Sequence, residues 1–250
     1  MNRNMHWKTP SLVACVVFLA LGCGQAPGTF IILQSQAPTP ECGATADVTA
    51  AYVGDGRLDV SIVTPTADSA FILFPLLEND LPGRNAGQTI DGNRIALSGF
   101  DVELTIPPNA MAPAETVALF QDAGRQSLLH FHEPFSGNVD SGGGHTATRV
   151  RAVQTDLALD LVANGNLKDS VVPVDIAIRA RGNTLNSSVV SDTFHFPITI
   201  CNGCLRHDLG LCTAATTAIN TGNPCNPAQD AVVDCCTTNA KLQCPARATP

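Results

Sequence analysis

Between about residues 47 and 200, apolar side chains recur at every second position. That period restricts the fold more than any other feature of the 250-residue chain. Val102, Leu104 and Ile106 alternate with Asp101, Glu103 and Thr105. Leu157, Leu159 and Leu161 alternate with Asp156, Ala158 and Asp160. Val174, Ile176 and Ile178 alternate with Asp175, Ala177 and Arg179, and Phe194, Phe196, Ile198 and Ile200 with His195, Pro197 and Thr199. Successive side chains of a strand point to opposite faces, so the pattern describes strands with one buried and one wet face. Turn formers punctuate the runs at Gly54-Asp55-Gly56, Asp91-Gly92-Asn93, Asn164-Gly165-Asn166 and Gly182-Asn183. Short strands, frequent turns and no helical stretch of comparable strength predict a mainly β fold over residues 47–200: an antiparallel β-sandwich, Ig-like or jelly-roll-like. Segment 107–148 is less regular. Pro113 to Gln121 fits a short helix or a strand, and Ser141-Gly142-Gly143-Gly144-His145 reads as a flexible loop.

The N-terminal segment reads as an export signal. Arg3 and Lys8 precede an apolar run from Leu12 to Leu21, too short to cross a bilayer as a helix and right for the core of a signal peptide. Further along, Phe71-Ile72-Leu73-Phe74 is broken by Pro75 and cannot span either. The residues Leu19-Ala20-Leu21-Gly22-Cys23 resemble a bacterial lipoprotein signal. The resemblance covers the first 23 residues. It implies cleavage after Gly22, a thioether-linked diacylglycerol on Cys23 and acylation of the freed amine. The chain departs from the usual pattern in carrying Ala20 three positions before the Cys, with Leu19 one step further back. Ala20-Leu21-Gly22 also suits ordinary cleavage, which makes a plain secreted protein the alternative. Two or more acyl chains hold a protein firmly on a membrane. Residues 1–22 are therefore read as a signal peptide and residues 23–46 as a lipid-anchored tether, Pro-rich and uncharged at Gln25-Ala26-Pro27-Gly28 and Gln36-Ala37-Pro38-Thr39-Pro40. Phe30-Ile31-Ile32-Leu33 is the exception and fits an added edge strand.

The alternation stops at Cys201, and residues 201–250 read as an irregular disulfide-rich tail, with a weak helical turn over Leu211 to Ile219. Cys15 leaves with the signal. With Cys23 acylated, eight thiols remain: Cys42, Cys201, Cys204, Cys212, Cys225, Cys235, Cys236 and Cys244. Eight is even, as four bridges in an oxidising compartment require, whereas plain secretion leaves nine. The tail holds seven of them, so full oxidation within one chain sends Cys42 to a tail partner. Adjacent Cys235 and Cys236 lie too close to bond each other and are expected to take different partners. The spacing leaves the remaining connectivity open. The tail run Cys201-Asn202-Gly203-Cys204-Leu205, Pro224-Cys225-Asn226-Pro227-Ala228-Gln229-Asp230, Asp234-Cys235-Cys236 and Cys244-Pro245 resembles Cys-rich lipoproteins of gliding Gram-negative bacteria, which implies a cell-envelope location and supplies no activity.

Two patterns carry possible chemistry. Cys201-x-x-Cys204-x-x-His207 has zinc-like spacing, and its CxxC also fits a redox pair; disulfide formation outweighs both in an exported chain. In His130-Phe131-His132-Glu133 a strand puts both imidazoles on one face, with His145 or His195 as a third ligand. Two surface histidines beside a loop are the more ordinary reading. Asp55, Asp59, Asp80 and Asp91 lie by turns, match no EF-hand loop and are read as turn formers. No HExxH, G-x-S-x-G, P-loop or dinucleotide fingerprint is present.

The formal charge is −8, and removal of residues 1–22 takes away only Arg3 and Lys8, leaving the mature chain near −10. An acidic chain without a basic cluster is a poor binder of nucleic acid. Trp7 lies in the signal and Tyr52 is the one Tyr, so aromatic stacking platforms and the girdles of an outer-membrane barrel are missing. The expectation is a non-enzymatic, cofactor-free lipoprotein, structural or protein-binding, held to a membrane by its N-terminal lipid and contacting another envelope protein. Gly24 in place of the inner-membrane retention Asp points by resemblance to the outer membrane. A secreted metal-dependent hydrolase using His130 and His132 is the alternative, and a small-ligand-binding lipoprotein the third reading.

Overall fold

The computed structural model describes residues 29–83, 90–168, 170–212 and 220–245. The signal peptide, Cys23 and most of the expected turn over 211–219 lie outside the described residues. In chain order the strands are β1 (Phe30–Gln36), β2 (Tyr52–Val53), β3 (Gly56–Asp59), β4 (Phe71–Leu73), β5 (Pro75–Asn79) and β6 (Ile95–Thr105). Helices α1 (Ala114–Gln121) and α2 (Gln126–Leu129) follow, then β7 (His130–Val139), β8 (Gly144–Ala147), β9 (Val150–Val153) and helix α3 (Thr155–Asn164). The chain continues through β10 (Val171–Asn183), β11 (Ser188–Val190) and β12 (Phe194–Cys201), and the tail adds β13 (Arg206–Leu211), β14 (Val233–Thr238) and β15 (Lys241–Gln243).

The fold is mainly β, as the alternation predicts. The larger sheet runs β3-β12-β10-β6-β7, with β11 pairing on β10. All its pairs are antiparallel except β3 with β12. A second sheet runs β2-β1-β5-β8, and β4 pairs with β9. In β10, Val172, Val174, Ile176, Ile178 and Ala180 are buried while Arg179 and Arg181 are exposed, so one face of the large sheet is dry and the other wet. The dry face shares one hydrophobic cluster with the other strands: Phe30, Ile32, Phe71, Leu73 and Leu77 pack with Val102, Ile176 and Phe196. Apolar burial of this kind contributes on the order of 25 cal/mol per Å² and is the main term holding the layers together.

Three segments depart from the sequence reading. Residues 157–161 are not a strand but part of α3. Leu157, Ala158 and Leu161 are its buried residues, spaced i, i+1 and i+4 on one helical face. Phe30–Gln36 is not tether or edge but a strand paired on both sides, to β2 and β5. Its apolar Phe30 and Ile32 enter the core, and the buried Gln36 side chain donates to the Asp47 carbonyl at 2.8 Å and accepts from Thr45 N at 3.1 Å. The Gly-rich stretch 141–145 is a tied turn: Gly142 N donates to Leu81 O at 2.7 Å, Gly143 N to Asn79 O at 2.9 Å, and Gly144 opens β8. Of the two readings for 113–121, the helix holds.

All eight described cysteines are bridged: Cys42–Cys225, Cys201–Cys204, Cys212–Cys236 and Cys235–Cys244. Cys42 pairs with the tail, and the adjacent Cys235 and Cys236 take different partners. The tail itself carries a three-stranded sheet, β13-β14-β15, with β13 parallel to β14. It is also built into the body. Asp59 N donates to Ala228 O and Asp230 N to Arg57 O, both at 2.9 Å, laying Ala228–Asp230 along β3. On the other side Gln229 turns its side-chain amide to β4. Ile72 N donates to Gln229 Oε1 and Gln229 Nε2 donates to Ile72 O, each at 2.9 Å. A side chain thus makes the two bonds that a neighbouring strand would make. Asn226 Nδ2 donates in the same way to Ser69 O at 3.1 Å and Ala70 O at 2.6 Å.

Gln229 is 3% exposed, so truncating it leaves the Ile72 N–H and C=O buried and unpaired. Gln229→Ala is expected to lower the unfolding free energy by about 2–4 kcal/mol, read from chemical denaturation under oxidising conditions.

Candidate functional site

The wet face of the large sheet gathers most of the charge-bearing candidates. Strand register sets its rows. His130 on β7 lies opposite Glu103 on β6, Glu103 opposite Ala177 on β10, and Ala177 opposite His195 on β12. The next outward row places His132 opposite Asp101 and Asp101 opposite Arg179. The HFHE strand reading is therefore right in its geometry: both imidazoles project from one face and both are exposed.

Asp101 is the hub of this face. Arg181 Nε donates to its Oδ2, His132 Nδ1 lies 3.2 Å from its Oδ1, and an Arg179 nitrogen lies 3.9 Å from Oδ2. Burial alone pushes the Asp101 carboxyl up. The hydrogen bonds from Arg181 and His132 and the charges of Arg181 and Arg179 outweigh it and hold the group below the ordinary aspartate range. The seat for His132 comes from a bulge. The β6–β7 register shifts between Leu97 and Gly99, and Gly99 has φ +148°. A Cβ at Gly99 would stand 2.5 Å from both Glu133 O and His132 Nε2, so only glycine leaves room for the ring.

Two open depressions flank His132. One, of about 450 Å³, is lined by Asp101, Glu103, His130, Arg179, Arg181 and Thr193. The other, of about 440 Å³, is lined by Asp68, Glu133, Arg151, Gln154 and Thr155. In the second, Arg151 Nε donates to Glu133 Oε1 at 2.6 Å and also pairs with Asp68 at 3.3 Å. The Glu133 hydrogen bond is the main cause that raises the Arg151 guanidinium above its ordinary value.

Every described histidine stands beside a carboxylate. His130 lies 3.8 Å from Glu103, His145 3.4 Å from Glu78, His195 2.6 Å from Asp175 and His207 2.8 Å from Asp234, in addition to the His132–Asp101 pair. His145 sits on the smaller sheet, and His195 stands two strands away from β6. Among the described residues neither joins His130 and His132 in a set of close ligand atoms. The one group of three such donors there is Asp59, Cys201 and Cys204, within 4.8 Å of one another. Its two sulfurs are bonded to each other, so the zinc-like spacing to His207 offers no thiolate in this state.

The alternation identified Asp101, Glu103 and Arg179 as wet residues. Their convergence with Arg181 and His132 depends on cross-strand register, which spacing along the chain does not give. Asp59 does form a turn, accepting from Ser61 N at 3.0 Å, but spacing along the chain did not show that it does so fully buried at the root of the tail.

No protein-family model matches the chain, and no curated protein matches it. A solved structure of a protein from Archaeoglobus fulgidus is similar over 56% of this chain and 90% of that one, with 9% identity and a TM-score of 0.30. A likeness at that level carries no argument about function.

The depressed Asp101 carboxyl has a consequence for acid stability. A group whose folded pKa is lowered contributes stability above its unfolded pKa and loses it as pH falls through the folded pKa. Asp101→Asn is expected to cost about 1 kcal/mol at neutral pH, with the difference from wild type closing as pH drops below the ordinary aspartate range. Thermal unfolding of both proteins across pH checks this. A gap that persists at low pH would assign the loss to packing instead.

Proposed function

We propose that this chain is an exported cell-envelope lipoprotein, anchored by acyl chains on Cys23, that binds or braces another envelope protein. The carrying observation is the bridge scheme. It closes on eight cysteines without drawing on Cys23, which acylation of that residue requires. Four disulfides belong to an oxidising compartment. The apolar run Leu12–Leu21 before Gly22-Cys23 supplies the route there. Among the described residues no helix is long and apolar enough to cross a membrane. The outer membrane is the destination favoured by Gly24.

The anchor would hold the body close. Strand β1 begins at Phe30, and residues 24–29 reach at most ~20 Å even when fully extended. The contact surface that fits a protein partner is β13. Among the described residues it pairs on one side only, to β14, and most of it is exposed. Leu211 is 75% exposed, and Val232 and Leu242 add exposed apolar surface to the tail. An edge that pairs on one side only among the described residues, with Leu211 exposed on it, favours strand addition by a second chain.

Cys23→Ser is the test. The wild-type protein should partition with membranes and carry the mass of acyl chains on a chain that begins at residue 23. The variant should lose both the added mass and the membrane association while keeping all four bridges. An unacylated wild-type protein released in soluble form would replace this reading with plain secretion.

A further inference from the structure

The four bridges are not equivalent. Cys42–Cys225 spans 183 positions, Cys212–Cys236 24 and Cys235–Cys244 9, whereas Cys201 and Cys204 are 3 apart. The entropy removed from the unfolded chain grows with the logarithm of the closed loop, so the Cys201–Cys204 bond constrains it least. The turn it spans is also held by other means. Buried Asp59 accepts hydrogen bonds from Gly203 N at 2.7 Å and Leu205 N at 2.9 Å, and from Ser61 N at 3.0 Å and Ser61 Oγ at 2.6 Å. Val60 N donates to Cys201 O at 2.9 Å, and β12 pairs with β3 up to Cys201 opposite Asp59. As a staple this bond is redundant.

Its two sulfurs also differ. Cys204 is exposed, while Cys201 is buried at 2% exposure. The Cys201 Sγ stands 3.5 Å from the Leu58 carbonyl oxygen. A disulfide sulfur has no proton to give that acceptor; a thiol does. The site thus holds a ready partner for the reduced form of the buried cysteine, beside an exposed cysteine open to attack.

We propose that Cys201–Cys204 is a reversible dithiol–disulfide centre that accepts electrons from a protein dithiol, with Cys204 as the sulfur attacked. A thiolate of the partner attacks Sγ of Cys204 and forms a mixed disulfide. The Cys201–Cys204 bond breaks, and its electron pair leaves on Cys201 Sγ, which takes a proton from solvent and donates to Leu58 O. The partner's second thiol loses its proton and attacks the partner sulfur of the mixed disulfide. Cys204 leaves as a thiolate and is protonated from solvent. This chain gains two electrons and two protons, and the partner's dithiol becomes a disulfide. Asp59 keeps the turn in place in both states, so exchange proceeds in the folded protein. The inference stands independently of the anchor at Cys23.

The test uses the full chain, equilibrated in graded mixtures of reduced and oxidised dithiothreitol, acid-quenched, alkylated and mapped by peptide mass. Cys201 and Cys204 should become labelled together at reducing strengths that leave the other six cysteines oxidised, with thermal unfolding unchanged. In Cys201→Ser, oxidised glutathione should capture the Cys204 thiol at least about tenfold faster than it captures the Cys201 thiol of Cys204→Ser. Labelling of this pair only in step with the other bridges, or only as the fold is lost, would overturn the proposal. So would equal capture of the two thiols. If either variant misfolds, the wild-type titration alone decides.

Discussion

The fold depends on a seam where side-chain amides take the place of a strand. Strand β3 closes one side of the large sheet, β4 belongs to a different pair, and neither pairs with the other. Ala228–Asp230 fills the space between them, bonded to β3 through its backbone and to β4 through the Gln229 amide. Each buried backbone N–H and C=O must find a partner, and here the partners come from a segment more than 150 positions away in the chain. The tail is therefore part of the body. Its Leu205, Ala228, Val233 and Cys235 sit in the same core cluster as Phe71 and Phe196.

Much of this architecture was legible in the sequence, and the failures have physical causes. Strands β6, β10 and β12 follow from alternation because each buries one face and wets the other. Helix α3 was misread for a reason built into the two periods. Residues four apart share a face in a strand and in a helix, so Leu157 and Leu161 fit either, and the burial of Ala158 in place of Leu159 separates them. At β1 the apolar run Phe30–Leu33 does mark a strand inside the Pro-rich segment, but its place between β2 and β5 is not visible, because Phe30 and Ile32 find a core assembled from distant strands. Parity and adjacency of the cysteines set the limits of the bridge scheme. Three-dimensional proximity alone selects Cys42–Cys225 over the other tail partners.

The charged face teaches the same lesson at higher resolution. Its residues were visible as the wet half of the alternation, and the shared face of His130 and His132 followed from the strand. The hub did not, because Asp101 meets Arg181 only through the β6–β10 register, and His132 finds its seat only through the bulge at Gly99. Once formed, the face is a set of matched opposite charges. In a chain of net charge −8, setting Arg179 and Arg181 against Asp101, and Arg151 against Asp68 and Glu133, limits the mutual repulsion of the acidic groups.

The Cys42–Cys225 bridge has a mechanical reading. Among the described elements only β1 precedes residue 42, so a pull from the N-terminal side loads β1 first, lengthwise against β2 and β5. Should that strand be stripped out, extension stops at the sulfur–sulfur link, and the load passes directly into the tail near residue 225. Everything between the two cysteines is shielded from the tension. The bridge divides the chain into a short sacrificial lead and a long protected loop.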